Sequence, residues 1–328
     1  MASFGFYVSL PASEPAAAAE TGAGQGSQRS GQELREGGII RGPTSARRLA
    51  IVFTGHEYAE GGQVILNELG KHKGKGAFFF TGVFLTNPSF EPLVQRIVRE
   101  GHYLGPHSDK HLLYCPWEGP KTTLVTHADF QIDLESNLRK IERFGVNRAQ
   151  IRYFLPPYEH YNHEIVEWAK EMGLITVNFT PGTRSNADYT GEAGKNFVSS
   201  KAIFDSIVAR EKQEPRGLNG FLLLVHIGSG PGRADKFPAR FGELLDYLAG
   251  KKYQFVRVDE LLEIKQGGFK NLQNRSRRRQ SAHFSSIIGV LAPTAVGGYD
   301  FLKPLCGSGK SSLRRHSYEI FIVPSSLQ

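Results

Sequence analysis

Short runs rich in β-branched and aromatic residues recur along this chain, and most are followed by an ionisable residue. The runs are LAIVFT (49–54), GAFFFTG (76–82), YLGP (103–106), IRYFLP (151–156), LITVNFT (174–180), GFLLLVHIG (220–228) and YQFVRV (253–258). β-Branched and aromatic residues fill them, as they fill strands. Runs as continuous as FLLLV are covered on both faces. Amphipathic stretches lie between them. EPLVQRIVREG (91–101) sets Leu93 beside Ile97 and Val94 beside Val98, then stops at Gly101, a helix C-terminal signal. HEIVEWAKEMG (163–173) and IDLESNLRKIERFG (132–145) have the same build. Strands alternating with helices predict a parallel sheet of the α/β class. Seven such units suit a (β/α) barrel better than an open sheet.

The pattern bounds the domains. Residues 1–37, rich in Ala, Gly, Ser and Gln, are expected to lack structure. Residues 38–266 are expected to form the barrel, and 267–328 an unstructured basic tail. Net charge is +8, but from Phe269 onward nine Lys and Arg face only two acids. The body is therefore close to neutral, and no nucleic-acid partner is expected. CGSGKSS (306–312) lacks the first glycine of a phosphate loop, since position 304 is proline. The two cysteines, Cys115 and Cys306, make neither a disulfide framework nor a C-x-x-C metal site. No apolar run is long enough to span a bilayer. The opening MASFGFYVSLPASEPAAAA lacks the basic and apolar regions of a secretory signal.

Ionisable residues collect where the strands end. LAIVFT runs into His56 and Glu57, YLGP into His107 and His111, and IRYFLP into Tyr158, Glu159 and His160. LITVNFT leads to Arg184 and Asp188, and FLLLV to His226. In barrels the C-terminal ends of the strands carry the active site. HSDKH (107–111) is not a zinc-binding helix, because Gly105 and Pro106 make it a loop. Its four-residue spacing still allows two imidazoles to share one ion, with a carboxylate such as Glu57 as third donor. Such a set leaves coordination positions open, as catalytic zinc sites do.

These residues resemble the NodB-type polysaccharide deacetylases, carbohydrate esterase family 4, over about Leu49 to Leu262. FTGHE (53–57) is similar to the family's T-F-D-D segment, and HSDKH to its H-[ST]-x-x-H metal motif. FLPPY (154–158) is similar to R-P-P-Y, and LLLVH (222–226) to the closing L-x-H segment. The resemblance implies a distorted (β/α)7 barrel. It also implies a hydrolase that removes acetyl groups from N-acetylated oligo- or polysaccharides with one divalent ion, Zn²⁺ first, with Co²⁺, Mn²⁺ or Ni²⁺ as alternatives. Three positions depart from the pattern. His56 stands at the position of the catalytic base aspartate, Glu57 at that of the ligand aspartate, and Leu155 at that of the arginine that orients the base.

On that resemblance Glu57, His107 and His111 hold the metal and His56 is the base. The reverse, with His56 as ligand and Glu57 as base, stays open. The ion would lower the pKa of a water from about 15.7 towards roughly 7. A backbone N–H near Tyr158 would steady the oxyanion, a contribution of about 3 kcal/mol. His226 would protonate the leaving amine. Arg184 and Asp188 form a surface ion pair, or else recognise substrate and tune a histidine. Glu159, His160 and His163 are expected as rim contacts or solvated residues rather than ligands. Asp109 and Asp235 have no firm assignment, with support of His226 open to Asp235, and Trp117 is read as a core aromatic ahead of a sugar-stacking platform. An O-acetyl esterase, another amidohydrolase and a non-catalytic carbohydrate-binding relative are the competing readings.

Overall fold

The computed structural model of the protein describes residues 31–262, all within one compact unit. A hairpin comes first, β1 (Glu33–Arg35) and β2 (Gly38–Arg41), joined through Glu36 and Gly37 in left-handed conformation. Then follow β3 (Arg48–Gly55), α1 (Gly62–Lys71), β4 (Gly76–Phe80), α2 (Gly82–Thr86), α3 (Glu91–Arg99) and β5 (Tyr103–Pro106). Next come α4 (His127–Glu142), β6 (Tyr153–Phe154), α5 (His163–Glu171), β7 (Ile175–Thr176), α6 (Ser200–Gln213) and β8 (Leu222–His226). The order closes with α7 (Phe241–Gly250), β9 (Gln254–Phe255) and α8 (Val258–Leu262). Residues 33–35 thus form a strand inside the segment expected to be unstructured. The basic run and CGSGKSS lie outside the described residues.

The parallel order is β5-β4-β3-β8, and β9 adds to the first residues of β3. β6 and β7 form a separate parallel pair. The ladders do not run continuously around the molecule, and single hydrogen bonds cross the gaps. Leu155 N donates to Pro106 O at 3.3 Å, Asn178 N to Ile39 O at 2.9 Å, and Thr180 N to Leu222 O at 2.9 Å. The segment after β7 therefore leaves its partner and reaches β2 and β8, which is the distortion of the (β/α)7 barrel. It also explains why the runs 151–156 and 174–180 contribute only two paired residues each.

Side-chain alternation divides the core in two. Leu49, Ile51 and Phe53 face outward into a layer with Ile65, Leu66 and Leu69 of α1 and Leu244, Leu245 and Leu248 of α7. Ala50 and Val52 face inward, with Phe79, Tyr103, Tyr153 and Leu224 from four other strands and Val177 from the segment just after β7. Val258, Leu261 and Leu262 of α8 join this inner cluster beside the start of β3, so they fill the N-terminal end of the barrel. Each buried Phe or Leu contributes about 1.5–3 kcal/mol. The opposite end is left for chemistry.

Helix starts follow from capping. The side chains of Thr126, Asn162 and Ser199 accept from Asp129 N, Ile165 N and Ala202 N at the heads of α4, α5 and α6. The Thr126 cap moves the start of α4 five residues ahead of the apolar stripe that announced it.

Candidate active site

Gly55, the last residue of β3, lets the chain pass between Ile227, Phe80 and Phe84. A Cβ there would meet them at 2.8–2.9 Å. His56 follows directly. Its Nδ1 hydrogen-bonds with the Thr81 hydroxyl at 3.0 Å, and its ring stacks on His111 with centroids 4.7 Å apart. Glu57 points away. Its side chain is 60% exposed, and its carboxylate stands 4.0 Å from His56 Nε2. Of the two residues left open as third donor, His56 is the one beside the HSDKH imidazoles.

His107 and His111 have ring centroids 5.2 Å apart. Two imidazoles sharing a zinc at Zn–N of about 2.0–2.1 Å would stand about 5 Å apart. The buried His107 donates from Nδ1 to the Leu155 carbonyl at 2.8 Å, which leaves Nε2 as its donor atom. A second hydrogen bond of this kind fixes tautomer and orientation in metal-binding histidines. Leu155, for all its departure in side chain, supplies this support from its backbone. Burial first, and then the neighbouring His111, hold His107 well below the usual imidazole range. Burial, and then His56 and His226, push His111 down to about 4. Both are neutral at pH 7, as ligands must be. Among the described residues no three His, Cys, Asp or Glu side chains already stand as a formed metal cage. The fit therefore rests on donor chemistry and ring spacing.

The loop itself is built by its neighbours. Ser108 and His111 have φ of 70° and 56°, left-handed values that need outside support. Asp133 of α4 provides it, accepting from Ser108 Oγ at 2.6 Å, Asp109 N at 2.8 Å and Lys110 N at 2.9 Å. Asn137, one turn on, accepts from His107 N at 3.1 Å and donates to Phe80 O at 3.1 Å. Gly82 N donates to the carbonyls of Ser108 and Asp109 at 3.2 and 3.0 Å. A Cβ on Gly82 would sit 1.8 Å from Asp109 Oδ1. Asp109 also pairs with Lys140 at 2.6 Å, so it braces the loop. The sequence reading passed over Asp133 and Asn137. Their signal was present as a polar pair four apart in the stripe Phe130, Leu134, Leu138, Ile141.

His226 ends β8, paired in register with Thr54 of β3. Its Nδ1 meets Asp188 Oδ1 at 2.7 Å, and its backbone N donates to Asp188 Oδ2 at 2.8 Å. Burial opposes the charge on this ring, but the Asp188 carboxylate and its hydrogen bond outweigh burial and raise the pKa. Asp188 thus holds the histidine. Arg184 is exposed, its backbone N bonded to Ser206 Oγ, and it has no ion pair with Asp188 among the described residues. Asp235, open as a support of His226, instead accepts from Ser200 N at 2.6 Å at the head of α6.

Tyr158 and Glu159 sit side by side in left-handed conformation, φ 58° and 54°. For residues other than glycine this costs on the order of 1–3 kcal/mol each. The Tyr158 ring lies 4.2 Å from that of His111. Glu159 is half-buried, with its carbonyl held by Asn178 Nδ2 at 2.8 Å. Burial pushes its carboxyl up to about 7, with His226 opposing and Asp188 adding. Trp117, expected in the core, is 61% exposed. It stacks on His160 at 4.8 Å and stands edge-on to Tyr158 at 5.6 Å, because its loop runs over the rim. His160 is tied to Pro116 O at 2.9 Å, and His163 is exposed at the head of α5.

The family description that matches, over residues 41–177, is that of the polysaccharide deacetylases. Residues 41–177 are thus similar to that family. A peptidoglycan-N-acetylglucosamine deacetylase of Bacillus cereus is 22% identical over 182 residues, 55% of this chain and 61% of that protein. The chain thus spans about three fifths of that relative's length. PdaA of Bacillus subtilis, a family 4 carbohydrate esterase, superposes with a TM-score of 0.54 at 21% identity, over 69% of this chain and 85% of that one. A carbohydrate esterase family 4 pseudoenzyme of Bacillus anthracis superposes at 0.53 and 20% identity, over 70% of each chain. These likenesses support the NodB fold for this chain.

Proposed function

We propose that this chain is a metal-dependent hydrolase that removes acetyl groups from an N-acetylated oligo- or polysaccharide. One observation carries the reading. Neutral imidazoles of His107 and His111, with His56 stacked beside them, share the C-terminal mouth of the barrel with an Asp188-held His226. His56, His107 and His111 would hold one divalent ion, zinc by preference, in place of the Glu57 set. When bound, the ion would supply a Lewis acid for the acetyl carbonyl and the attacking water. His226 keeps a proton on Nε2, the nitrogen turned from Asp188, and delivers it to the leaving nitrogen. Trp117, Tyr158 and Tyr189 are exposed on this rim and offer flat faces to sugar rings.

Elemental analysis with an acetate-release assay tests the reading. Wild type should carry about one equivalent of zinc and release acetate from N-acetylated chitooligosaccharides. His107→Ala with His111→Ala should lose both and stay folded. Native protein without metal, active in chelator, would sink it. The replaced aspartate and arginine positions, together with the pseudoenzyme neighbour, favour one second reading, a carbohydrate-binding relative without turnover. Binding of the same sugars with no acetate released in added Zn²⁺, Co²⁺ or Mn²⁺ would favour it.

A further inference from the structure

The site as drawn lacks a group to take the proton of the attacking water. His56 lies among the imidazoles, its Nδ1 engaged by Thr81. Glu57 faces solvent, and Asp188 is committed to His226. Among the described residues, one carboxyl at the mouth remains. We propose that Glu159 is the general base, a catalytic role carried by the turn after β6 and not by the end of β3. The inference rests on the deacetylation reading and adds a residue to it.

The backbone argues for it first. Two consecutive non-glycine residues in left-handed conformation persist only when their surroundings impose it, and such strain gathers at functional sites. Glycine would fit position 159 without strain. A glutamate stands there instead, held by Asn178 through its carbonyl. The side chain argues next. Glu159 is half-buried and directly follows Tyr158, whose ring lies against His111, and its carboxyl interacts with His226 and Asp188, so it shares the mouth with the proton donor. Burial that raises it towards neutrality suits a base at physiological pH. The same burial makes its ionised form a burden on the fold.

The step balances as follows. Water oxygen bonds to the acetyl carbon while its proton passes to the Glu159 carboxylate. The C–N bond breaks with its electron pair going to nitrogen, which takes the His226 Nε2 proton. Acetate and a free amine result, and the proton on Glu159 returns to His226 through solvent.

The test compares Glu159→Gln, Glu159→Asp and Glu159→Gly with wild type. The probes are N-acetylated chitooligosaccharides and O-acetylated xylooligosaccharides. Glu159→Gln should lose about 10²–10⁴-fold in kcat, with KM and zinc content near wild type. It should also lose the acidic limb of the pH profile, which Glu159→Asp should partly keep. Glu159→Gly should be equally inactive yet melt at or above wild type, since it relieves the left-handed strain. Three results would overturn the base: activity of Glu159→Gln within threefold of wild type, loss of zinc from it, or melting of Glu159→Gly well below wild type. A wild type that hydrolyses neither probe sinks the deacetylation reading, and the base with it.

Discussion

Asp188 and His226 show how much one carboxylate decides. Two hydrogen bonds from a single side chain fix both ring and backbone of the strand end. Asp188→Asn should therefore cut kcat by about 10²-fold or more. It should also move the basic limb of the pH profile to lower pH, because the imidazolium loses the charge that raised it. A kcat–pH series on the variant checks this. At this scale the sequence was largely readable. Strand-end position alone gathered His56, His107, His111, Tyr158, Asp188 and His226, and tuning of a histidine was one of the roles weighed for Asp188. The base role proposed for Glu159 was not readable. Its placement depends on a left-handed backbone that no glutamate announces. Trp117 stayed open between core and sugar platform for a related reason, since an aromatic in a loop looks the same whether the loop is tucked in or lies over a rim.

Between residue and molecule stands the loop 107–111, which α2 and α4 hold in place. Asp133→Ala strands three donors, two of them backbone N–H groups, at about 1–3 kcal/mol each if buried and unpaired. The expected outcome is a lower urea midpoint and zinc affinity reduced 10–100-fold, as outer-shell losses cost. Gly82→Ala should weaken zinc binding too, because its methyl occupies the place of the Asp109 carboxylate. Isothermal titration with zinc measures both. Helix α3 and α5 were legible to within two residues from periodicity, because their stripes are unbroken. The sequence pattern did not mark helices α1, α6 and α7, and α8 starts at Val258, the last residue of YQFVRV, a run read as strand. Strands β6 and β7 shrank to two residues because their continuations pair around the barrel and not with each other.

Across the whole molecule, buried histidines set the response to acid. His102, at 2% side-chain exposure, accepts from Gly76 N through Nδ1. Burial, and then Lys75, push it down to about 4. His107 and His111 are lowered as well. The unfolded chain protonates these rings near 6.5 while the fold resists. Stability of the metal-free protein should therefore fall as pH drops from about 6.5 towards 4. His102→Gln should flatten that fall by on the order of 3 kcal/mol, read from urea midpoints at each pH. His226 and Glu159 have raised values and act in the opposite direction. Their contributions are full at low pH and are lost as pH rises through their folded values, so the fold should be most stable between the two limits.

The α8 leucines that stopper the floor of the inner cluster have a consequence for traffic. Anything that settles on the imidazoles comes in past the rim and must go out the same way. A small acid cut from a long glycan would then wait behind the polymer, and the order of departure would be set by the larger piece.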